Sequence, residues 1–167
     1  MGKITNDELL KKISDNFQDI VTLIGEPHGL LTLETSREQI ISLLSWLKTD
    51  ATLQFAYLTD ITAIHYPGSE RQIVVIYHLH SLVNNVRIRI KVFLNDGDVH
   101  IPTITDLWNG ANWMERETYD FFGVLFDGHP DLRRILNVDD MVAFPMRKEF
   151  PLEDPNRVDK KDYFFGR

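Results

Sequence analysis

The stretch from Ile73 to Leu94 constrains the fold of this chain most. Residues 73–81 and 86–94 carry alternating apolar and polar side chains on either side of Asn84-Asn85. Period-two alternation places every second side chain on one face of a strand. Asn tolerates the left-handed backbone that a tight hairpin turn needs. A two-residue turn at Asn84-Asn85 aligns Leu79 with Ile90 and Tyr77 with Val92 on one face, and His80 with Arg89 and His78 with Lys91 on the other. Apolar meets apolar and polar meets polar, so the segment reads as an antiparallel hairpin with one face to bury.

Covering that face needs further elements, and the pattern supplies them. Thr5 and Glu8 form a capping box ahead of Leu9, Leu10, Ile13 and Phe17, which predicts a helix over residues 5–17. Ile20–Ile24 and Leu30–Thr35 are β-like runs joined by Gly25-Glu26-Pro27-His28-Gly29, a second hairpin. Ser36 with Gln39 opens a helix carrying Ile40, Ile41, Leu43, Leu44 and Leu47, and Phe55–Tyr66 is a further strand ending at Pro67-Gly68. Thr103 with Asp106 starts a third helix, lined by Leu107, Ala111, Met114 and Phe121 and stopped by Gly123. The expected fold class is α+β in two layers: a mixed or antiparallel sheet of about five strands, helices on one face, and an extended C-terminal arm. The domain division runs 1–126 for the α+β unit and 127–167 for the arm. Within the arm only Asp131–Leu136 reads as a short helix. Pro130, Pro145, Pro151 and Pro155 break it, while Met141, Val142, Phe144, Phe150, Tyr163, Phe164 and Phe165 suit a segment lying along something. Residues from about 137 onward are expected to become ordered against a partner.

Several chemistries are excluded. The sequence has no cysteine, which removes disulfides, thiol nucleophiles and Cys-ligated clusters. Its glycines form neither G-x-G-x-x-G nor a P-loop, and neither HExxH nor G-x-S-x-G occurs. With 18 Lys and Arg against 25 Asp and Glu, the net charge is −7, a poor basis for binding nucleic acid or an anionic membrane. The 167 residues contain no apolar run of membrane-spanning length, so membrane association is expected through a partner. His78 and His80 share a face as strand ligands would, but Arg87, Arg89 and Lys91 beside them oppose a cation. Asn95-Asp96-Gly97-Asp98 lacks the ligands of a calcium loop. Glu115, Glu117 and Asp120 could form an acid/base cluster or an ordinary charged helix surface.

The segment from Asn112 to Leu136 mixes charges, aromatics and turn residues without clean amphipathicity. That is the composition of a surface buried against a partner, where aromatics and Arg anchor and charges need partners. It closely resembles a family signature, E-R-E-x-x-D-x-[FY]-G-[IV]-x-F-x-G-H-P-x-L-x-R-I-L. The match is carried by Glu115, Arg116, Glu117, Asp120, Phe122, Gly123, Val124, Phe126, Gly128, His129, Pro130, Leu132, Arg134, Ile135 and Leu136. The family is the 30-kDa subunit of proton-pumping NADH:quinone oxidoreductase, respiratory complex I. Tyr77-His78-Leu79, Leu107-Trp108, Ala111-Asn112-Trp113 and Pro145-Met146-Arg147-Lys148-Glu149-Phe150-Pro151 extend the resemblance over roughly residues 35 to 152. His65 departs from the acidic residue common there.

The resemblance implies a structural and assembly subunit of the peripheral arm, supporting electron transfer from NADH to quinone. It would hold no cofactor itself, with FMN and iron–sulfur clusters on partner subunits and quinone as the substrate of the complex. It would pack on the large quinone-pocket subunit and other peripheral-arm subunits, at the cytoplasmic side of the cell inner membrane. The partner interface would comprise Glu115, Arg116, Glu117, Asp120, Gly128, His129, Pro130, Asp131, Arg133, Arg134, Arg147 and Lys148, with no catalytic residue in the protein itself. Two alternatives remain at this point: an accessory subunit of a related membrane-bound hydrogenase or non-NADH quinone oxidoreductase, and an independent small enzyme using Glu115, Glu117 and Asp120.

Overall fold

The computed structural model describes residues 4–150. The fold opens with α1 (Asn6–Phe17), whose capping box is complete: Glu8 N–H donates to Thr5 Oγ1 at 3.2 Å and Thr5 N–H to Glu8 Oε2 at 2.9 Å. β1 (Val21–Gly25) and β2 (Leu31–Thr35) pair antiparallel around a 3-10 turn, Pro27–Gly29. Then come α2 (Ile40–Thr49), β3 (Tyr57–His65), β4 (Ile73–Ser81), β5 (Val86–Leu94), β6 (His100–Pro102), α3 (Ala111–Phe122) and β7 (Leu125–Asp127). The main sheet has the order β1-β2-β5-β4-β3, with β2 and β5 parallel and the other pairs antiparallel, so it is mixed and the fold is α+β. Leu9 and Ile13 of α1, Leu43, Leu44 and Leu47 of α2, and Ala111 and Phe122 of α3 join Leu33, Ile61, Tyr77, Ile90 and Val92 in one core. Trp108 closes one end of it by donating to the Ala56 carbonyl at 2.8 Å.

The β4–β5 hairpin corrects the expected turn. Ser81 pairs with Val86, Leu79 with Ile88 and Tyr77 with Ile90, so the loop is Leu82–Asn85 and the register lies two residues from a turn at Asn84-Asn85. Both faces survive, because a two-residue slip leaves side-chain parity unchanged. The longer loop lets the Asn84 amide donate to the carbonyls of Thr52 and Leu53, tying the hairpin to the α2–β3 connection.

Three helix expectations also change. Ser36–Gln39 closes as a turn, with Gln39 N–H donating to the Ser36 carbonyl, and α2 begins at Ile40 without a side-chain cap. Thr103 and Asp106 do not start α3. The Thr103 hydroxyl and the Ile104 N–H both donate to Glu115, so the backbone turns and the helix starts at Ala111. Residues 131–136 are not helical, because the N–H groups of Ile135 and Leu136 bond the Asp120 carboxylate. Sequence reading missed the parallel pair β6–β7, and the boundary expected between residues 126 and 127 falls within β7.

Candidate functional site

α3 carries the first half of the signature, and the arm wraps back over it. Gly123 ends the helix at φ 75°, in the left-handed region that glycine enters without strain, and its N–H donates to the Tyr119 carbonyl. The turn that follows brings residues 133–147 across the helix end.

Asp120 is the hub of that contact. Its side chain has no exposed surface. Oδ2 accepts from the backbone N–H of Ile135, Leu136 and Asn137 at 3.1, 2.8 and 3.0 Å, and Oδ1 accepts from Arg134 Nη1 at 2.7 Å and Asn137 Nδ2 at 3.0 Å. Burial alone would raise this carboxyl, but the donors from Asn137 and Leu136 and the Arg134 guanidinium outweigh it and hold the group well below the ordinary carboxylate range. Arg134 also donates from Nη2 to the carbonyls of Met141 and Ala143 and lies 5.1 Å from the Phe144 ring centre. Arg116 is buried too. It donates to the carbonyls of Arg133 and Arg134, has no carboxylate partner among the described residues, and sits 5.1 Å from the Trp113 ring centre.

Glu115 occupies the opposite flank of the helix. Oε1 accepts the Ile104 N–H at 2.7 Å and Oε2 the Thr103 hydroxyl at 2.5 Å, with His129 Nε2 at 4.0 Å. Burial pushes this carboxyl up to about 7 against those two donors. His129 accepts the Asp131 N–H at Nδ1, so Nε2 carries the proton and donates to the Asn112 carbonyl at 3.1 Å, which is a neutral ring. Arg147 reaches the Phe122 carbonyl at 2.7 Å and Asp96 at 3.1 Å. The Lys148 N–H donates to His65 Nδ1 at 2.9 Å, while the Lys148 side chain is exposed. His65 thus latches the arm to β3, a role its sequence context did not reveal.

The expected interface residues therefore divide. The side chains of Glu115, Arg116, Asp120, His129, Arg134 and Arg147 face inward and are bonded within the protein. Glu117, Gly128, Pro130, Asp131, Arg133 and Lys148 lie on the outside. Beside them Trp113 is 63% exposed, and Leu136, Val138 and Val142 are exposed as well. Sequence reasoning left Trp113 out of the site, although an aromatic next to a run of charges was the signal. Glu115, Glu117 and Asp120 do not converge: the cleft that Glu117 shares with Asp60 and Phe121 is lined by neither of the others. Among the described residues no cluster of His, Asp and Glu is arranged to hold a metal.

Comparison with known proteins places this architecture among respiratory proteins. The family described as "Respiratory-chain NADH dehydrogenase, 30 Kd subunit" matches residues 33–156. The C subunit of the NADH-quinone oxidoreductase of Citrifermentans bemidjiense is 41% identical over 152 residues, covering 91% of this sequence and 93% of that protein. Its counterpart in Geobacter sulfurreducens is 40% identical over 153 residues, with 91% and 93% covered. Among solved structures, the trypsin-resistant fragment (1-134) of Nqo5 aligns with a TM-score of 0.62 at 30% identity, covering 74% of this sequence and 98% of that one. One polypeptide of a membrane-bound sulfane sulfur reductase, an archaeal respiratory membrane complex, aligns with a TM-score of 0.74 at 25% identity, covering 87% and 85%.

Proposed function

Because the chain belongs to the family of respiratory-chain NADH dehydrogenase 30 Kd subunits, we propose that it works as the 30-kDa subunit of an NADH-quinone oxidoreductase. Its work is structural: it holds the peripheral arm together beside the large quinone-pocket subunit, on the cytoplasmic side of the membrane, while FMN, iron–sulfur clusters and quinone stay on partner subunits. The observation that carries this reading is the division of the signature. Asp120, Arg116 and Arg134 fix the arm on α3, Glu115 pins the turn at Thr103 and Ile104, and the outer rim presents Trp113, Glu117, Pro130, Asp131 and Arg133 to solvent. An aromatic anchor ringed by charges is interface chemistry, not a reaction centre. An enzyme built on Glu115, Glu117 and Asp120 is disfavoured, since those groups face different surroundings. A place in a complex using another electron donor rests on the 25% identical archaeal protein, against relatives near 40% identical that are named for NADH and quinone.

Trp113→Ala and Arg133→Glu test the docking. Removing an aromatic anchor from an interface costs about 2 kcal/mol or more, and a buried unpaired charge about 2–5 kcal/mol. Both variants are expected to lose co-purification with the partner subunits and NADH:quinone reductase activity, while the isolated protein melts within a degree or two of wild type. Normal co-purification of both variants would remove this rim from the interface.

A further inference from the structure

The helices feed one core with the inward side chains of the sheet, and the opposite face carries no helix among the described residues. On that open face the register sets Arg87, Arg89 and Lys91 of β5 in a row, opposite His80, His78 and Ile76 of β4. Arg71 adds a fourth cation, 4.5 Å from the Phe93 ring centre. Against these four stand Glu34, paired with Arg71, and Asp60, 3.7 Å from His78. Arg89 is held by His78, donating to Nε2 at 2.9 Å. Arg87 and Lys91 have no ion-pair partner among the described residues. A cationic row on a protein of net charge −7 runs against the background of the molecule.

Antiparallel strands commonly leave one face in water, and a few charges there need no explanation. This face holds more than charges. Val74 and Ile76 are buried at its centre outside the main core, which makes it apolar under a basic layer. His80, aligned between Tyr57 and Arg87, has an Nε2 closed to solvent with no hydrogen-bond partner, a rare condition for a buried polar atom. Arg87 and Arg89 also wall a groove that runs to Asn6 and His28 at the end of the sheet.

We propose that this open sheet face is a second docking surface, and that its occupant is an acidic, extended segment of a partner protein whose carboxylates pair with Arg87 and Lys91. Nucleic acid fits worse, because Arg71 already covers one side of the Phe93 ring and Tyr57 stands at the other end of the row, so the face has no run of aromatics for successive bases. An anionic membrane would meet the net charge of −7 over an area far larger than the row, whereas a short acidic segment meets the row alone. The surface is separate from the rim around Trp113 and stands or falls independently of it.

The test uses the full-length protein and a fluorescent ten-residue oligoglutamate, measured by anisotropy at low salt. The expected result is saturable binding that weakens at least tenfold in the Arg87→Glu, Lys91→Glu double variant and is unchanged in Arg133→Glu, with far-ultraviolet circular dichroism identical in all three. A ten-residue oligouridylate, phosphatidylglycerol vesicles and sedimentation of the protein alone are run alongside. Oligoglutamate binding that is absent, or that survives the double variant, overturns the proposal. So does tighter binding of the oligouridylate or the vesicles, or a dimer that the double variant dissociates. In the purified assembly, carbodiimide coupling should join the Lys91 amine to an acidic residue of another subunit, and a Lys91 that couples only within its own polypeptide counts against it.

Discussion

The Arg134 guanidinium binds Asp120, the Met141 and Ala143 carbonyls and the Phe144 ring with a side chain 8% exposed, whereas its neighbour Arg133 pairs with Asp131 at a site where both are largely in water. Exposed pairs of the second kind are worth about 0–1 kcal/mol, while breaking a buried pair costs about 3–5 kcal/mol, because it strands the remaining charge. Arg134→Ala is therefore expected to lower the urea midpoint and melting temperature of the isolated protein by several kcal/mol equivalent, and Arg133→Ala to leave both unchanged. Sequence alone read the two arginines alike, since Asp120 and Arg134 lie 14 residues apart, outside any helical spacing rule. Glu115 gives a second expectation. Its pKa rises from 4.5 in the unfolded state to about 7 in the fold, so between those values the folded state binds more protons. Its contribution is complete below pH 4.5 and is lost as pH rises through 7, on the order of 1–3 kcal/mol. Asp120 has the opposite sign but acts below its unfolded value of 3.8, outside this window. Urea midpoints of Glu115→Gln at pH 5, 6, 7 and 8 should show a flatter profile than wild type and equal or greater stability at pH 8.

At the scale of elements, period and turn chemistry revealed the five strands of the main sheet, the capping box of α1 and the Gly123 stop, because each is written in local residues. Errors arose where a backbone group had a distant partner. The Thr103 and Asp106 pattern imitates a helix start, but Glu115 takes the Thr103 hydroxyl and the Ile104 N–H first. Residues 131–136 have helical periodicity, but Asp120 takes the N–H groups a helix would need. The hairpin register could not be resolved by matching faces, since parity repeats every two residues. Gly123 supports a sharper expectation. A Cβ there would stand 2.6–2.8 Å from the Phe144 ring, on a backbone with φ of 75°, whereas at Gly128, with φ of 83°, it would meet only the Thr103 methyl at 3.5 Å. Gly128→Ala carries the left-handed backbone cost alone, about 1–2 kcal/mol. Gly123→Ala adds displacement of the ring that Arg134 and Arg147 both contact, so it should cost about 1–3 kcal/mol more. Chemical denaturation of the two variants side by side measures the difference.

For the whole molecule, the question is whether the arm meets its partners folded or folds on them. Sequence composition favoured ordering on the partner, because residues 127–150 have no periodic core of their own. The structure gives that segment a framework borrowed from α3 and β3: Asp120 holds residues 134–137, the Phe121 carbonyl accepts the Met146 N–H, Arg147 holds the Phe122 carbonyl, and His65 holds the Lys148 N–H. Asn137, Met141, Ala143, Met146, Arg147 and Lys148 thus have bonding partners within the protein itself, and the part of the expectation that concerns 151–167 lies outside the described residues. A surface fixed in advance loses less conformational entropy on binding than one that orders at contact. Hydrogen exchange distinguishes the two cases. In the isolated protein the amides of Ile135, Leu136, Asn137, Met146 and Lys148 should be protected, and those of Asp139 and Val142 should exchange quickly. On assembly the first group should change little, while protection should appear around exposed Val138 and Val142 if that stretch is covered. Arg134→Ala should abolish the protection of the first group in the free protein and leave the β4 and β5 amides slow. Fast exchange at all five positions in the wild-type protein, with protection acquired only in the complex, would show that the arm folds upon its partner after all.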